Sequence, residues 1–161
     1  MNKKELIIEY LKGYELIVNT IDPLPREVFD FKPAPDKWSI REIIIHLVDS
    51  EVNSYIRFRT AIAENGKQVS VYDQNKWADT LLYEIQSIDD NLELFKFLRK
   101  NTYKLFINLP DKNWENNFLH PERGNLTLLE YLEEMTEHVS QHLNQIIRNY
   151  EQWEVLPGNE K

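Results

Sequence analysis

Two histidines lie four residues apart in the segment TEHVSQHLNQII, residues 136–147. If this segment is helical, His138 and His142 project from the same face, about one turn apart. His142 also falls on the apolar repeat that contains Met135 and Val139, so its ring would face the protein interior. Two imidazoles at the edge of a core, one helical turn apart, can hold a divalent metal ion.

A third histidine, His46, lies at the margin of an apolar face in an earlier segment. Placed across a helix bundle, it would meet the other two. Three neutral imidazoles suit a borderline divalent ion such as zinc, nickel or iron(II), and they leave a fourth position for water or substrate. A metal held in this way acts as a Lewis acid and can lower the pKa of a bound water to about 7.

The alternative is a hydrogen-bonded histidine network without metal, because a histidine beside a core is more often hydrogen-bonded than metal-bound. The pattern also differs from the HExxH motif of zinc proteases, in which a glutamate directly follows the first histidine. Here Glu137 precedes His138 and points elsewhere, so no motif assigns a general base. The fourth histidine, His120, precedes a proline, and we expect it to fix a loop by hydrogen bonds.

Four further residues are candidates for a catalytic role. Asn53 and Arg57 continue the polar line that begins at His46, and they would either bind an anionic substrate or join an internal polar network. Tyr72 and Asp73 lie on the longest irregular connection, where they would face a pocket over the metal.

Four long segments with helical periodicity must position these residues. Ser39 with Glu42 and Thr127 with Glu130 form capping boxes that start the second and fourth helices. Prolines and Gly66 mark helix ends. The predicted helices cover about residues 2–21, 40–65, 84–109 and 128–151.

Two connections are predicted to lack regular structure. KQVSVYDQNKWADT, residues 67–80, follows the second helix, and DKNWENNFLHPERGN, residues 111–125, should be a surface loop. No strand pattern competes with the helices, so the prediction is an all-α protein, a four-helix bundle whose topology the spacing leaves open.

Composition narrows the functional classes. The 161 residues suit one domain over residues 1–161, and the net charge of −8 opposes a nucleic-acid or anionic-membrane partner. The chain has no cysteine, so a disulfide, a thiolate metal site and a cysteine nucleophile are excluded. No apolar stretch is long enough to span a membrane, and the N-terminus does not resemble a signal peptide. We therefore expect a cytoplasmic protein.

Four blocks of the sequence together resemble the DinB/YfiT-like superfamily, in particular its YfiT-like metal-dependent hydrolases and bacillithiol transferases. They are WSIREIIIHLVDSEVNSYIRFR, YDQNKWA, HPERGNLTLLE and HVSQHLNQI. The resemblance implies an up-down-down-up four-helix bundle and a homodimer. It also implies a divalent ion, nickel or zinc before iron or manganese, on His46, His138 and His142. Relatives often have a histidine where this chain has Gln141, a position that should face away from the metal.

Two hypotheses follow about function. The first is a metal-dependent enzyme that hydrolyses a small substrate or transfers a low-molecular-weight thiol; without cysteine in the chain, that sulfur must come from a cosubstrate. The second is a non-catalytic, stress-related binding module with a structural metal or a buried histidine network. An open coordination position would distinguish the enzyme from the module.

Overall fold

The computed structural model describes residues 1–159. Within them are four long α-helices, one short α-helix and a single two-stranded sheet, which lies between the last two helices in the chain. The helices are α1 Lys3–Ile21, α2 Ile40–Ala63, α3 Gln74–Thr80, α4 Ile88–Phe106 and α5 Leu128–Glu154, and the strands are β1 Asn117–His120 and β2 Gly124–Thr127. None of the described helices is both long and apolar enough to cross a lipid bilayer.

The two predicted capping boxes are present. In each, the side chain of the residue before the helix accepts a hydrogen bond from a backbone N–H in the first turn, and a glutamate returns the bond. A third capping box starts α1, which the sequence analysis did not predict. The three pairs are Asn2 with Glu5, Ser39 with Glu42, and Thr127 with Glu130.

The four long helices form a bundle in which α1 and α2 each pack against both α4 and α5. One end of the core joins the start of α1, the ends of α2 and α4, and the start of α5, as shown by Leu6, Phe58, Phe106 and Leu132. The other end joins Ile21, Ile40, Leu92 and Ile146. Helices α1 and α5 therefore run in one direction and α2 and α4 in the other, which confirms the up-down-down-up bundle.

The connection between α2 and α4 must return along the bundle, because these two helices run in the same direction. It was predicted to be irregular, but it contains α3 and a 3-10 turn at Tyr83–Ile85. Asp73 caps α3, since its carboxylate accepts hydrogen bonds from two backbone N–H groups of the first turn. Helix α4 begins at Ile88 and not near residue 84, because Ser87 provides its cap.

The segment predicted to be a surface loop forms a β-hairpin, so that prediction was wrong. Phe118 pairs with Leu126, and Gly124 has a φ of 78°, which a residue other than glycine rarely adopts. The hairpin also bonds to the crossover connection, because Val69 N–H donates to the Leu119 carbonyl at 3.0 Å. Strands of four residues are too short for their alternating pattern to stand out in the sequence.

A buried ion pair joins all four long helices. Arg99 of α4 is 1% exposed, and its Nε donates to the Glu51 carboxylate of α2 at 2.9 Å. The same guanidinium donates to the backbone carbonyls of Tyr10 in α1 and Met135 in α5, and the Tyr10 hydroxyl donates to Glu51. Gly13 leaves the space for this group. The network specifies how the helices align, because each bond is satisfied in one register only.

Candidate metal centre

The three histidines predicted from spacing come together between α2 and α5. Nε2 of His138 lies 3.4 Å from Nε2 of His46 and 3.1 Å from Nε2 of His142. One ring nitrogen from each of the three residues lies within 4.8 Å of the other two. Helices α2 and α5 are direct neighbours, and this contact brings His46 to the pair on α5.

The spacing of two of the three nitrogen pairs fits a common metal ion. Two ligands that each bind at about 2.05 Å in a tetrahedral arrangement are about 3.3 Å apart. The two Nε2–Nε2 distances, 3.4 and 3.1 Å, lie on either side of that value. Two of the three nitrogen pairs therefore have the spacing of ligands that share one ion, and the third pair lies within 4.8 Å.

Burial keeps the imidazoles neutral, which is the form that binds metal. His46 is 1% exposed, and His138 and His142 are half-buried. The pKa of His46 and of His138 is lowered to about 3, mainly by loss of hydration and in smaller part by neighbouring histidines. Burial also lowers the pKa of His142, although its hydrogen bond to Gln145 acts against this.

The remaining ring nitrogens are consistent with ligation through Nε2. Oε1 of Gln145 lies 3.0 Å from Nδ1 of His142, and because an amide oxygen can only accept a hydrogen bond, this contact favours the tautomer with the proton on Nδ1 and the lone pair on Nε2. Nδ1 of His46 and Nδ1 of His138 are buried without a hydrogen-bond partner in the described part of the chain. These two nitrogens have no acceptor that would favour another tautomer or another orientation of the ring.

Trp38 forms one wall of the centre, and the sequence analysis did not place it there. Its ring centroid lies 4.7 Å from that of His46 and 6.4 Å from that of His142. The Nδ2 amide of Asn149 on α5 donates to the Trp38 carbonyl at 2.8 Å, which fixes the chain just before α2. No spacing rule links Trp38 to the histidines, because it precedes the helix.

Asp49 and Tyr83 are a second feature that the sequence analysis missed. Asp49 lies three residues after His46 on α2, and the Tyr83 hydroxyl of the crossover donates to its carboxylate. Burial raises the pKa of Asp49, although the bond from Tyr83 acts against this. The spacing of three from His46 was a signal that this carboxyl shares the histidine's face.

Asn53 and Arg57 lie further along the same helix. The Asn53 amide donates to the backbone carbonyl of Asp49 at 2.8 Å. Arg57 is buried, and it donates to the Tyr131 hydroxyl at 3.1 Å and to the Ser70 carbonyl at 3.0 Å. Both side chains belong to the polar line on this face, at increasing distance from His46.

Tyr72 and Asp73 have different positions. Tyr72 is half-buried, hydrogen-bonds with Ser50 and packs against Trp77 at a ring distance of 4.7 Å. Burial raises the pKa of its hydroxyl. Asp73 is exposed, and its carboxylate is used to cap α3. The crossover therefore brings Tyr72 to α2, whereas the contacts of Asp73 are accounted for by the cap.

His120 lies on β1, outside the three-histidine cluster. It is buried, and its Nδ1 accepts a hydrogen bond from the backbone N–H of Glu122 at 3.3 Å. This contact holds the turn between the two strands. Burial lowers the pKa of the imidazole, and the positive charge of Arg57 lowers it further.

Comparisons with known proteins identify the family of this chain. The family model of the DinB superfamily matches residues 9–146. A protein of Oceanobacillus iheyensis is 34% identical over 113 residues, and one of Bacillus mycoides is 30% identical over 129 residues. Both are named as candidate metal-dependent hydrolases. The matches cover 70% and 78% of this chain, and 65% and 74% of the relatives, so the first spans slightly less than two thirds of its relative.

A solved structure has the same fold. Bacillus subtilis YfiT, described as a candidate metal-dependent hydrolase with an unusual four-helix bundle topology, superposes with a TM-score of 0.87. The superposition covers 95% of this chain and 90% of YfiT, at 22% sequence identity. At that identity the likeness establishes the fold alone.

Proposed function

This chain belongs to the DinB superfamily, and we propose that it is a metal-dependent enzyme whose divalent ion is bound by His46, His138 and His142. The observation that carries the proposal is the convergence of one ring nitrogen from each of three histidines, with two Nε2–Nε2 pairs at distances that suit one ion. The names of its relatives support hydrolysis of a small molecule as the reaction. Transfer of a low-molecular-weight thiol of the bacillithiol type is the second reaction that the site would support.

The partial exposure of two of the three histidines favours a catalytic metal site over a structural one. His46 is enclosed, but His138 and His142 are each partly exposed, so the ion would be reachable from solvent. A structural metal site, in contrast, is closed by four protein ligands. Within the described residues, the cluster contains three such ligands. The alternative predicted from sequence, a non-catalytic module, requires a closed site or a site without metal.

The bound ion would supply a Lewis acid that lowers the pKa of a coordinated water or thiol. Nickel or zinc suits three imidazoles, and iron or manganese is the less favoured choice. Gln145 orients His142 through its Nδ1, and Trp38 shields His46 from water on one side. These contacts hold two of the three ligands in place before any ion arrives.

Asp49 is our candidate for proton transfer. Its carboxyl lies on the face of α2 that carries His46, and burial raises its pKa towards the range in which a carboxylate accepts protons efficiently. Tyr83 holds the carboxylate in one orientation. Tyr72, which hydrogen-bonds with Ser50, would close the site from the crossover side.

Three further features are part of the proposal. They are a single domain over residues 1–161, a homodimer and a cytoplasmic location. The homodimer is supported by the family resemblance alone, and sedimentation of the untagged protein tests it directly. A protein that sediments as a monomer at micromolar concentration would remove the dimer without affecting the metal site.

Elemental analysis of protein purified without a histidine tag tests the metal centre. We expect about one divalent ion per chain in the wild type and almost none in His142→Ala. His120→Ala is the matched control, because it removes a buried histidine outside the cluster and should retain the ion. A wild type without metal, or a His142→Ala variant with full occupancy, would refute the proposal.

Activity assays then separate the two reactions. Metal-loaded protein is tested for hydrolysis of small esters and amides, and for conjugation of a low-molecular-weight thiol to an electrophile. Either activity should be lost in His142→Ala and retained in His120→Ala. A fully loaded protein that catalyses neither reaction would favour the non-catalytic module.

A further inference from the structure

Among the residues that the structure describes, Arg57 is a buried cation without a carboxylate partner. Its side chain is 9% exposed, and its two described hydrogen bonds go to neutral groups, the Tyr131 hydroxyl and the Ser70 carbonyl. Its Nε is shielded from solvent and has no partner among the described residues. Burial of a charge is expensive unless an opposite charge or a full set of hydrogen bonds compensates for it.

The other deeply buried arginine shows the usual solution. Arg99 is 1% exposed, and its Nε donates to the carboxylate of Glu51 at 2.9 Å. The two arginines are both buried in the same bundle, but they differ in whether a carboxylate of the described residues pairs with them. Among the described residues, the fold supplies a carboxylate for Arg99, whereas Arg57 has two hydrogen bonds to neutral groups and the ring of Tyr131 at 5.9 Å.

Nearby charged groups are paired elsewhere. Glu134, which faces Tyr131 and His120, is bound to Arg123. Glu64 is bound to Lys67 on the segment that follows α2. The positive charge of Arg57 still acts on its surroundings, because it lowers the pKa of His120, of Tyr72 and of Tyr131 as a secondary contribution to each.

A cavity of about 200 Å³ lies beside Arg57, and polar side chains share its wall with the apolar residues Ile56 and Val69. Its walls include the side chains of Asn53, Lys67 and Gln68, which can donate hydrogen bonds, together with Ser70. A carboxylate or phosphate group fits within this volume. The lining supplies donors and a positive charge, which is the chemistry that recognises such a group.

We propose that this cavity is a subsite in which Arg57 binds an oxyanion, either a carboxylate or a phosphate, of an elongated substrate. The assignment of that ligand as substrate rests on the metal-dependent function proposed above. Arg57 lies eleven residues after His46, which places it about 16 Å along the helix. Ser50 and Asn53 lie between them on the same face, with Tyr72 and Tyr131 hydrogen-bonded beside it.

Such a subsite would orient the substrate from its remote end. Binding energy gained far from the reacting atom can be used to position that atom at the metal. An uncharged or shorter analogue should therefore react more slowly, and not only bind more weakly.

The test is a titration of the full-length protein with inorganic phosphate, with glutarate and with neutral glutaramide. Isothermal calorimetry measures the binding, and backbone amide NMR locates it. We expect one or both anions to bind and to shift the amide signals of Asn53 and Ser70, while glutaramide does neither. Binding of phosphate alone identifies a phosphate subsite, and binding of glutarate alone identifies a carboxylate subsite. Saturable binding of neither anion overturns the proposal.

Three variants locate the binding. Arg57→Gln should weaken anion binding about ten-fold or more, and Arg57→Lys should weaken it less, because the charge remains but the fork of donors is lost. Arg59→Gln removes the same charge from a half-buried arginine that bonds to Asn101, and it should bind anions as the wild type does. Equal weakening by Arg59→Gln would overturn the assignment. If Arg57→Gln does not fold, the Arg57→Lys variant and the NMR shifts of the wild type decide.

The same titration of His142→Ala separates this subsite from the metal. Anion binding that persists in this variant, with unchanged shifts at Asn53 and Ser70, supports the subsite even if the metal assignment fails. Anion binding that disappears together with the metal would show that the anion binds the ion, and the subsite would be rejected. Metal content of each sample, measured in parallel, keeps the two proposals distinguishable.

Discussion

Nε2 of His46 and Nε2 of His138 lie 3.4 Å apart across the interface of α2 and α5, although 92 positions separate the two residues in the sequence. Neither Nδ1 atom has a hydrogen-bond partner in the part of the chain that the structure describes, so each of these two rings makes its polar contacts through Nε2. Three nitrogens in this arrangement repel one another unless a proton or a cation lies between them. The predictions below test that arrangement and the bundle that holds it.

Gln145→Ala should weaken metal binding about ten-fold to a hundred-fold, because Gln145 fixes the tautomer and orientation of His142. The dissociation constant is measured by competition with a chelator of known affinity. Gln141→Ala is the control, since Gln141 precedes His142 directly and is exposed. Equal affinity of the two variants would show that the bond to Nδ1 does not support the site.

The stability of the metal-free protein should fall as the pH is lowered from about 6.5 towards 3. The folded state holds the pKa of His46 at about 3, below the usual 6.5 of the unfolded chain, so the unfolded state binds more protons between these values. At pH 5 this costs roughly 2 kcal/mol of unfolding free energy for His46 alone. Urea unfolding with a chelator present, at pH 7 and pH 5, measures the difference. His46→Gln should reduce it, and an unchanged pH dependence would contradict the burial argument.

Tyr83→Phe should raise the pKa of Asp49 further. The bond from the Tyr83 hydroxyl stabilises the carboxylate and therefore lowers this pKa, so its removal leaves the effect of burial unopposed. The carboxyl carbon signal of Asp49 in NMR spectra recorded across the acid range reports the pKa directly. Tyr55→Phe, which removes a hydroxyl bonded to Asn101, is the control and should leave Asp49 unchanged. If Asp49 accepts the proton in catalysis, the acid limb of the pH–rate profile should move to higher pH in Tyr83→Phe.

Gly13→Ala should destabilise the bundle by about 3 kcal/mol or more, although alanine is the better helix former by about 1 kcal/mol. A Cβ atom at this position would lie 2.0 Å from Nη1 of Arg99, so the guanidinium would have to leave Glu51. Denaturant unfolding measures the change. In a background where Arg99 and Glu51 are both replaced by methionine, Gly13→Ala should be neutral or stabilising. Destabilisation of similar size in that background would locate the effect elsewhere.

Local features of the sequence predicted much of the fold. The start of α2 at Ser39 and that of α5 at Thr127 depend on side chains within three residues of each cap, and both predictions were confirmed. The start of α4 was placed about four residues too early, because the apolar residues of the turn at Tyr83–Ile85 continue the helical spacing. The hairpin was missed because four-residue strands obtain their stability from packing on the bundle and on the crossover.

The sequence by itself determined the long helices, the apolar stripe of each and the pairing of His138 with His142, because backbone hydrogen bonding and side-chain period are decided within one or two turns. Only the tertiary structure decided that α2 packs beside α5, so that His46 completes the cluster. It likewise decided that Trp38 packs against His46 and that Tyr83 bonds to Asp49 from outside the long helices. It also decided that Arg57 is buried with no carboxylate partner in residues 1–159. These relationships join residues far apart in the chain, and they are set when four helices and their crossover bury a common core.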